Sequence, residues 1–164
     1  GVAAAHGGAL YYLALLHREG DPLMGIEASG ESFARHLDLA CDAGYADALF
    51  CRADLHYHGT DGAVLDHTEA HAYYLRAAAA DHADAMCCLG TMSYLGQGGQ
   101  PVNHEAAFSW YQRAADTGDE DGGPHRGAWG NLASMYALGH GVPKCMKTAK
   151  HILNFLDGKA TIEK

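Results

Sequence analysis

Twelve histidines, five cysteines and twenty acidic residues give this 164-residue chain ample material for metal or acid–base chemistry. His104-Glu105 opens like the H-E-x-x-H helix of zinc hydrolases, but the fifth position is Phe108, so the second imidazole is missing. The densest cluster is His56-Tyr57-His58 with Asp61, Asp66 and His67. Zinc needs three or four convergent donors at fixed geometry, and the pattern of the surrounding chain makes His56 and His58 ordinary helix-end residues, so no metal site is expected. Asp119-Glu-Asp-Gly-Gly-Pro124 does not fit a calcium loop and reads as a solvated acidic loop. Gly96-Gln-Gly-Gly99 and Gly139-His-Gly141 lack the Lys-Ser/Thr that completes a phosphate cradle. Cys41, Cys51, Cys87, Cys88 and Cys145 are odd in number, two are adjacent, and none forms C-x-x-C. They suggest neither a zinc site nor a disulfide framework, and they favour a reducing, cytoplasmic compartment. Cys145 stands near the start of a helix, where the positive end lowers a thiol pKa. No nucleophile–base pair, catalytic residue or cofactor site is expected.

Composition narrows the partners. With 48% hydrophobic and 19% charged residues the chain is expected to fold. A formal charge of −9 disfavours nucleic acid and anionic membranes. No apolar run approaches the roughly 20 residues of a membrane-spanning helix. Protonating all twelve histidines would carry the formal charge to +3, so interactions could vary with pH, although solvated helix faces account for most of them. The chain begins at Gly1 without a methionine or leader and reads as part of a longer protein.

The elements that must position any site come from repetition. Ala48–Gly59 aligns with Ala85–Gly96 at an offset of 37, Ala9–Gly20 fits at 39 and Ala128–Gly139 at 43. A second element follows each: Ser32–Cys41, His67–Ala78, His104–Ala115 and the divergent Lys147–Leu156. Apolar residues recur at three- and four-residue steps, as in Ala107, Trp110, Tyr111 and Ala114, which predicts amphipathic helices. Gly20, Gly59, Gly96 and Gly139 close the first helix of each pair, and Gly44 and Gly118 the second, with Asp81 in the equivalent place of the middle copy. Each pair leaves an apolar face that only a neighbour can cover, so the pairs are expected to stack.

The pattern A-x-x-x-L-G-x-M-x-x-x-G-x-G followed by A-x-x-W-Y-x-x-A-A-x-x-G resembles the Sel1-like repeat family, a relative of the tetratricopeptide repeat. Ala85, Leu89, Gly90, Met92, Gly96 and Gly98 carry its first half, and Ala107, Trp110, Tyr111, Ala114, Ala115 and Gly118 its second. Ala128, Leu132, Met135, Tyr136, Gly139, Gly141, Val142 and Pro143 carry it again. Arg52 departs by standing where Leu89 and Leu132 stand, either to form a salt bridge or to reach a partner. The resemblance implies an all-α, right-handed α-α superhelix (solenoid) of about four helix-turn-helix repeats. Their approximate bounds are 9–45, 46–82, 83–124 and 125–158, with 1–8 as the end of a preceding helix. Some bacterial relatives pair cysteines across successive helices, but here Cys41 faces the position of Leu49. Others are linked to penicillin-binding chemistry, yet no serine of this chain is followed three residues later by lysine.

The resemblance also implies that the first helices line the concave side. Their outward face at i, i+4, i+7 holds Tyr11, Leu15 and Arg18, then Phe50, Asp54 and Tyr57. It continues through Cys87, Thr91 and Tyr94 to Gly130, Ser134 and Ala137. The larger residues are the expected partner-binding set, in a non-catalytic scaffold or adaptor holding a neutral or basic peptide or helix of another protein. The same aromatics are equally suited to packing between repeats. Two other roles stay open. Trp110–Gly123 resembles the C-terminal repeats of elongation-factor-2 kinases, which implies substrate docking for an α-kinase domain. The family's founding member implies an adaptor of endoplasmic-reticulum quality control.

Overall fold

Alanine and glycine at helix crossings, with a capped turn at every joint, decide the architecture. The computed structural model describes residues 2–119 and 122–159, with side chains from His6 onward. It holds eight helices among the described residues: α1 (Val2–Glu19), α2 (Gly30–Asp42), α3 (Ala46–His58), α4 (His67–Ala79), α5 (Ala83–Leu95), α6 (His104–Thr117), α7 (Arg126–Leu138) and α8 (Met146–Leu156). No strand forms among these residues, and an isolated bridge joins Asp21 to Ile26. The chain divides into two compact units, residues 1–82 and 83–164. Each contains two antiparallel helix pairs, α1/α2 and α3/α4 in the first, α5/α6 and α7/α8 in the second.

One clasp recurs in all four pairs. The first helix ends at Gly20, Gly59, Gly96 or Gly139, with φ of 77°, 65°, 71° and 78°. The residue that begins the second helix then donates its N–H to a carbonyl three residues before that glycine. These bonds are Ser29 to His17 at 2.7 Å, and Asp66 to His56, Asn103 to Ser93 and Cys145 to Tyr136 at 2.8 Å. The loops between differ in length, but the clasp returns each second helix to the same place. Ser29, Asp66 and Asn103 also cap their helices by accepting backbone N–H groups, as such residues should. At the other joints Gly44, Asp81 and Gly118 all take positive φ, as their alignment requires.

Inside each pair small residues let the backbones close. Ala48 and Ala53 of α3 and Ala70 and Ala77 of α4 are fully buried in the first unit, as are Ala85, Ala107 and Ala114 in the second. The tyrosines of α4 and α6 then reach back across the pair by a repeated hydrogen bond. Tyr74 donates to Asp54 at 2.5 Å, and 37 residues on, the Tyr111 hydroxyl lies 3.0 Å from Thr91 Oγ1.

The residue before each later first helix makes a recurring contact inside its own unit. Tyr45, at the start of α3, packs over Gly7 and Gly8 of α1. His82 reaches back 3.5 Å to Asp47, and His125 3.0 Å to the equivalent Asp84. Residues 2–8, which read as the end of a preceding helix, belong to one continuous α1, because neither a proline nor a capping residue interrupts the run to Tyr11. Arg52 forms its salt bridge inward, with Asp38 of α2.

Two substitutions test this packing with opposite signs. A Cβ at Gly90 would lie 2.6 Å from the Tyr111 ring. The resulting strain exceeds alanine's helix preference, so Gly90→Ala is expected to destabilise by roughly 1–2 kcal/mol in thermal unfolding followed by circular dichroism. Asp81, at φ 59°, is a non-glycine residue in a left-handed turn. Asp81→Gly is expected to stabilise by about 0.5 kcal/mol in the same measurement.

Candidate functional site

In the first unit the expected face is assembled on α1 and α3, and its side chains are tethered. The Tyr11 hydroxyl is hydrogen-bonded to Cys51, and burial, with Cys51 and Asp47 beside it, raises the phenol well above its usual 10. Arg18 pairs with Asp61 at 2.7 Å and lies 5.6 Å from the Phe33 ring centre. Phe50 stacks on His82 with centroids 4.5 Å apart and meets Tyr74 at 5.8 Å. Tyr57 stacks on His67 at 4.9 Å. Asp54 holds the Tyr74 hydroxyl. Tyr11, Leu15, Phe50, Asp54 and Tyr57 are nevertheless half-buried rather than closed off, and Arg18 is exposed. These aromatics pack along their inner edges and keep their outer edges in solvent.

The second unit brings Thr91 and Tyr94 of α5 together with Ser134 of α7 in a groove of about 270 Å³. Leu95 and Leu138, 52% and 55% exposed, also line it, and Tyr111 and Met135 complete an apolar wall. The Thr91 hydroxyl donates to the Cys87 carbonyl at 3.1 Å, which leaves its oxygen to accept from Tyr111. Burial raises the Tyr111 phenol, so it stays a neutral donor. Tyr94 is held by two imidazoles. Its hydroxyl is 2.7 Å from His140 Nδ1, and His104 lies tilted against the Tyr94 ring at 4.7 Å and stacks on His140 at 4.5 Å. Leu95, Tyr111 and Leu138 escaped the sequence reading, because the i, i+4, i+7 rule followed one helix face at a time.

Other clusters have structural uses. His56 contacts the Val64 carbonyl at 3.3 Å, Asp66 caps α4, His67 lies on Tyr57, and Asp61 holds Arg18. Among the described residues no three His, Cys, Asp or Glu side chains could hold a metal ion. In the acidic insertion the Asp119 and Gly123 backbones close the loop at 2.9 Å, while Glu120 and Asp121 lie outside the described residues.

One arrangement does resemble a nucleophile, base and orienting acid. Cys87 Sγ lies 3.7 Å from His125 Nδ1, and Asp84 lies 3.0 Å from His125 Nε2. No sequence motif points to it, since 38 residues separate cysteine from histidine. The His125 Nδ1 lone pair, however, already accepts the Ala128 N–H at 3.0 Å as the α7 cap. Burial also pushes the Cys87 thiol up to about 12. The trio fastens α7 to α5 and has no free base to activate sulfur.

Cys145 is the opposite case. It begins α8, and a hydrogen bond from Thr148 at 3.1 Å, joined by backbone N–H bonds and Lys147, lowers its pKa. Burial raises Cys41 and Cys87 to about 12. Iodoacetamide at about pH 7.5, roughly one unit below the pKa of a free thiol, should label Cys145 first and Cys41 and Cys87 last by peptide mass mapping. Thr148→Val should slow Cys145 and move its rate profile to higher pH.

Comparison with known proteins agrees with this architecture. The Sel1 repeat family model matches residues 8–45, 46–82, 83–119 and 131–149. A crystal structure of a Sel1 repeat protein from Oxalobacter formigenes superposes with a TM-score of 0.79 at 27% identity, covering 93% of this chain and 58% of that protein. A protective antigen of uropathogenic Escherichia coli with an SLR fold gives 0.78 at 22%, covering 94% and 31%. Helicobacter pylori cysteine rich protein B gives 0.54 at 20%, covering 74% and 94%. The chain thus spans 58% and 31% of the length of the first two. No curated protein matches it. All five cysteines here are free. Sel1 repeat proteins are all-α helical-repeat proteins that typically act as non-catalytic scaffolds and bind other proteins. By the family model over most of its length, this chain belongs to the Sel1 repeat family.

Proposed function

We propose that this chain is a non-catalytic scaffold or adaptor whose first-helix faces each hold an extended peptide or helix of another protein. The observation that carries the proposal is the groove of the second unit. It gathers Thr91, Tyr94 and Ser134, which the repeat pattern had marked as surface, around an apolar floor with exposed leucines at the rim. Its lining side chains are uncharged, so this groove suits an apolar segment. In the first unit the Asp54 carboxylate stands beside Tyr74 and favours a basic residue. Tyrosines held by hydrogen bonds and stacking lose little freedom on binding, which helps them carry affinity. No helix among the described residues is long and apolar enough to cross a membrane.

Peptides selected from a random library on the immobilised chain, then measured by fluorescence anisotropy, test the proposal. Ser134 is exposed, so Ser134→Trp should fill the groove and weaken groove-bound peptides at least tenfold (about 1.4 kcal/mol) with unchanged helical content. Phe50→Ala with Tyr57→Ala should abolish binding of peptides that use the first unit. Peptides unaffected by either variant, or loss of binding only in step with loss of helix, would refute it.

A further inference from the structure

Charge is segregated along the chain in a way that stacking does not require. The first 121 residues hold eighteen acidic residues against five arginines. The next thirty-five, Gly122 to Leu156, contain Arg126, Lys144, Lys147 and Lys150 and no Asp or Glu. All five lysines of the protein lie from residue 144 onward.

Helix α8 displays this charge. Ala149 and Ile152 are its buried residues, and its packing partner is α7. Another side carries Met146 and Leu153, 48% and 50% exposed, with Lys147, Lys150 and Asn154 between and beside them. These positions follow i, i+4, i+7 spacing and form one stripe. Lys147, Lys150 and Asn154 line a shallow depression of about 510 Å³. Among the described residues none of Lys144, Lys147 and Lys150 has a carboxylate within salt-bridge distance, whereas Lys159 is paired with Asp157. The comparison with α6 is informative. Five residues after its cap, Phe108 meets Tyr136 of the following first helix edge-on at 5.6 Å. The fifth residue after Cys145 is Lys150. A cation therefore stands in α8 where α6 places an aromatic against α7.

We propose that this stripe of α8 docks an acidic amphipathic helix of a partner protein. Carboxylates of that helix meet Lys147 and Lys150, and an apolar side chain sits between Met146 and Leu153. Charge complementarity selects the occupant. Nucleic acid or an anionic bilayer would also meet the acidic remainder of the chain, while a short helix feels only charges within about a Debye length, roughly 10 Å. The eleven residues of α8 offer about 16 Å of contact, three turns of such a helix. This surface is separate from the Tyr94 groove and takes an acidic partner where the groove suits an apolar one.

The probe is a fluorescein-labelled helical peptide with Glu at i, i+4 spacing and Leu on the adjoining stripe, titrated with the full chain. A scrambled peptide of the same composition and a Lys-for-Glu peptide serve as comparisons. The acidic helix should bind, and the scrambled and basic peptides should bind at least several-fold more weakly. Lys147→Glu with Lys150→Glu should cost about tenfold in affinity and remove the salt dependence. Ser134→Trp should leave this binding unchanged, and circular dichroism should show both variants folded. No binding, equal binding of the scrambled peptide, or indifference to charge reversal would overturn the proposal. So would tighter, reversal-sensitive binding of duplex DNA or phosphatidylserine vesicles, or a salt-sensitive dimer in sedimentation that the reversal abolishes.

Discussion

Four backbone hydrogen bonds organise everything else in this protein. Each closes a helix pair by returning the first N–H of the second helix to a carbonyl in the last turn of the first. The bond requires the chain to reverse through positive φ, which an L side chain resists and glycine does not. It does not require a fixed number of residues in between. The loop after Gly20 therefore accommodates the exposed Leu23 and Met24, and the pair still forms the same 2.7 Å bond. Once the clasp is made, alanines and Gly90 meet tyrosine and leucine across the pair.

Such a constraint explains why so much was legible in advance. Helix periodicity, the glycines and the 37-residue spacing are local features, and each has one physical reading. The positive φ at Gly44, Asp81 and Gly118 could be placed from alignment alone. The tyrosine bonds to Asp54 and Thr91 could not, although both partners lay in the aligned segments. Periodicity assigns a side chain to a face but does not say which hydroxyl will point along it. The His104–His140 stack and the Cys87–His125–Asp84 fastening were further out of reach. His140 and Cys87 stand in alignment columns that hold other side chains in the neighbouring repeats, so repetition carries no signal for their contacts.

The histidines illustrate how a composition can mislead. A metal centre needs imidazole nitrogens to converge, whereas here rings stack face to face or turn a nitrogen toward a single acceptor. His82 and His125 follow from the repeat itself, since each reaches back to the aspartate that begins the preceding first helix. Tyr45 does the same work over Gly7 and Gly8 with an aromatic ring in place of an imidazole–carboxylate contact. Two chemistries thus serve one mechanical purpose, and most of the unusual histidine content is spent on joints and helix ends.

What remains for function is surface, and its two candidate regions differ in how they are prepared. The aromatic faces are preorganised: Tyr94, Tyr111, Phe50 and Tyr57 each make ring or hydroxyl contacts within their own unit. Much of the side-chain entropy that binding would otherwise cost is already spent in folding. The lysines of α8 have no such contacts, and long exposed side chains lose freedom when they pair, so charge there favours fast, salt-sensitive association over tight retention. A scaffold with both could hold one segment firmly in a groove while the cationic helix guides or orients another part of the same partner. For that division the two surfaces must be chemically distinct, and the placement of every lysine beyond residue 143, in a chain otherwise dominated by carboxylates, keeps them so.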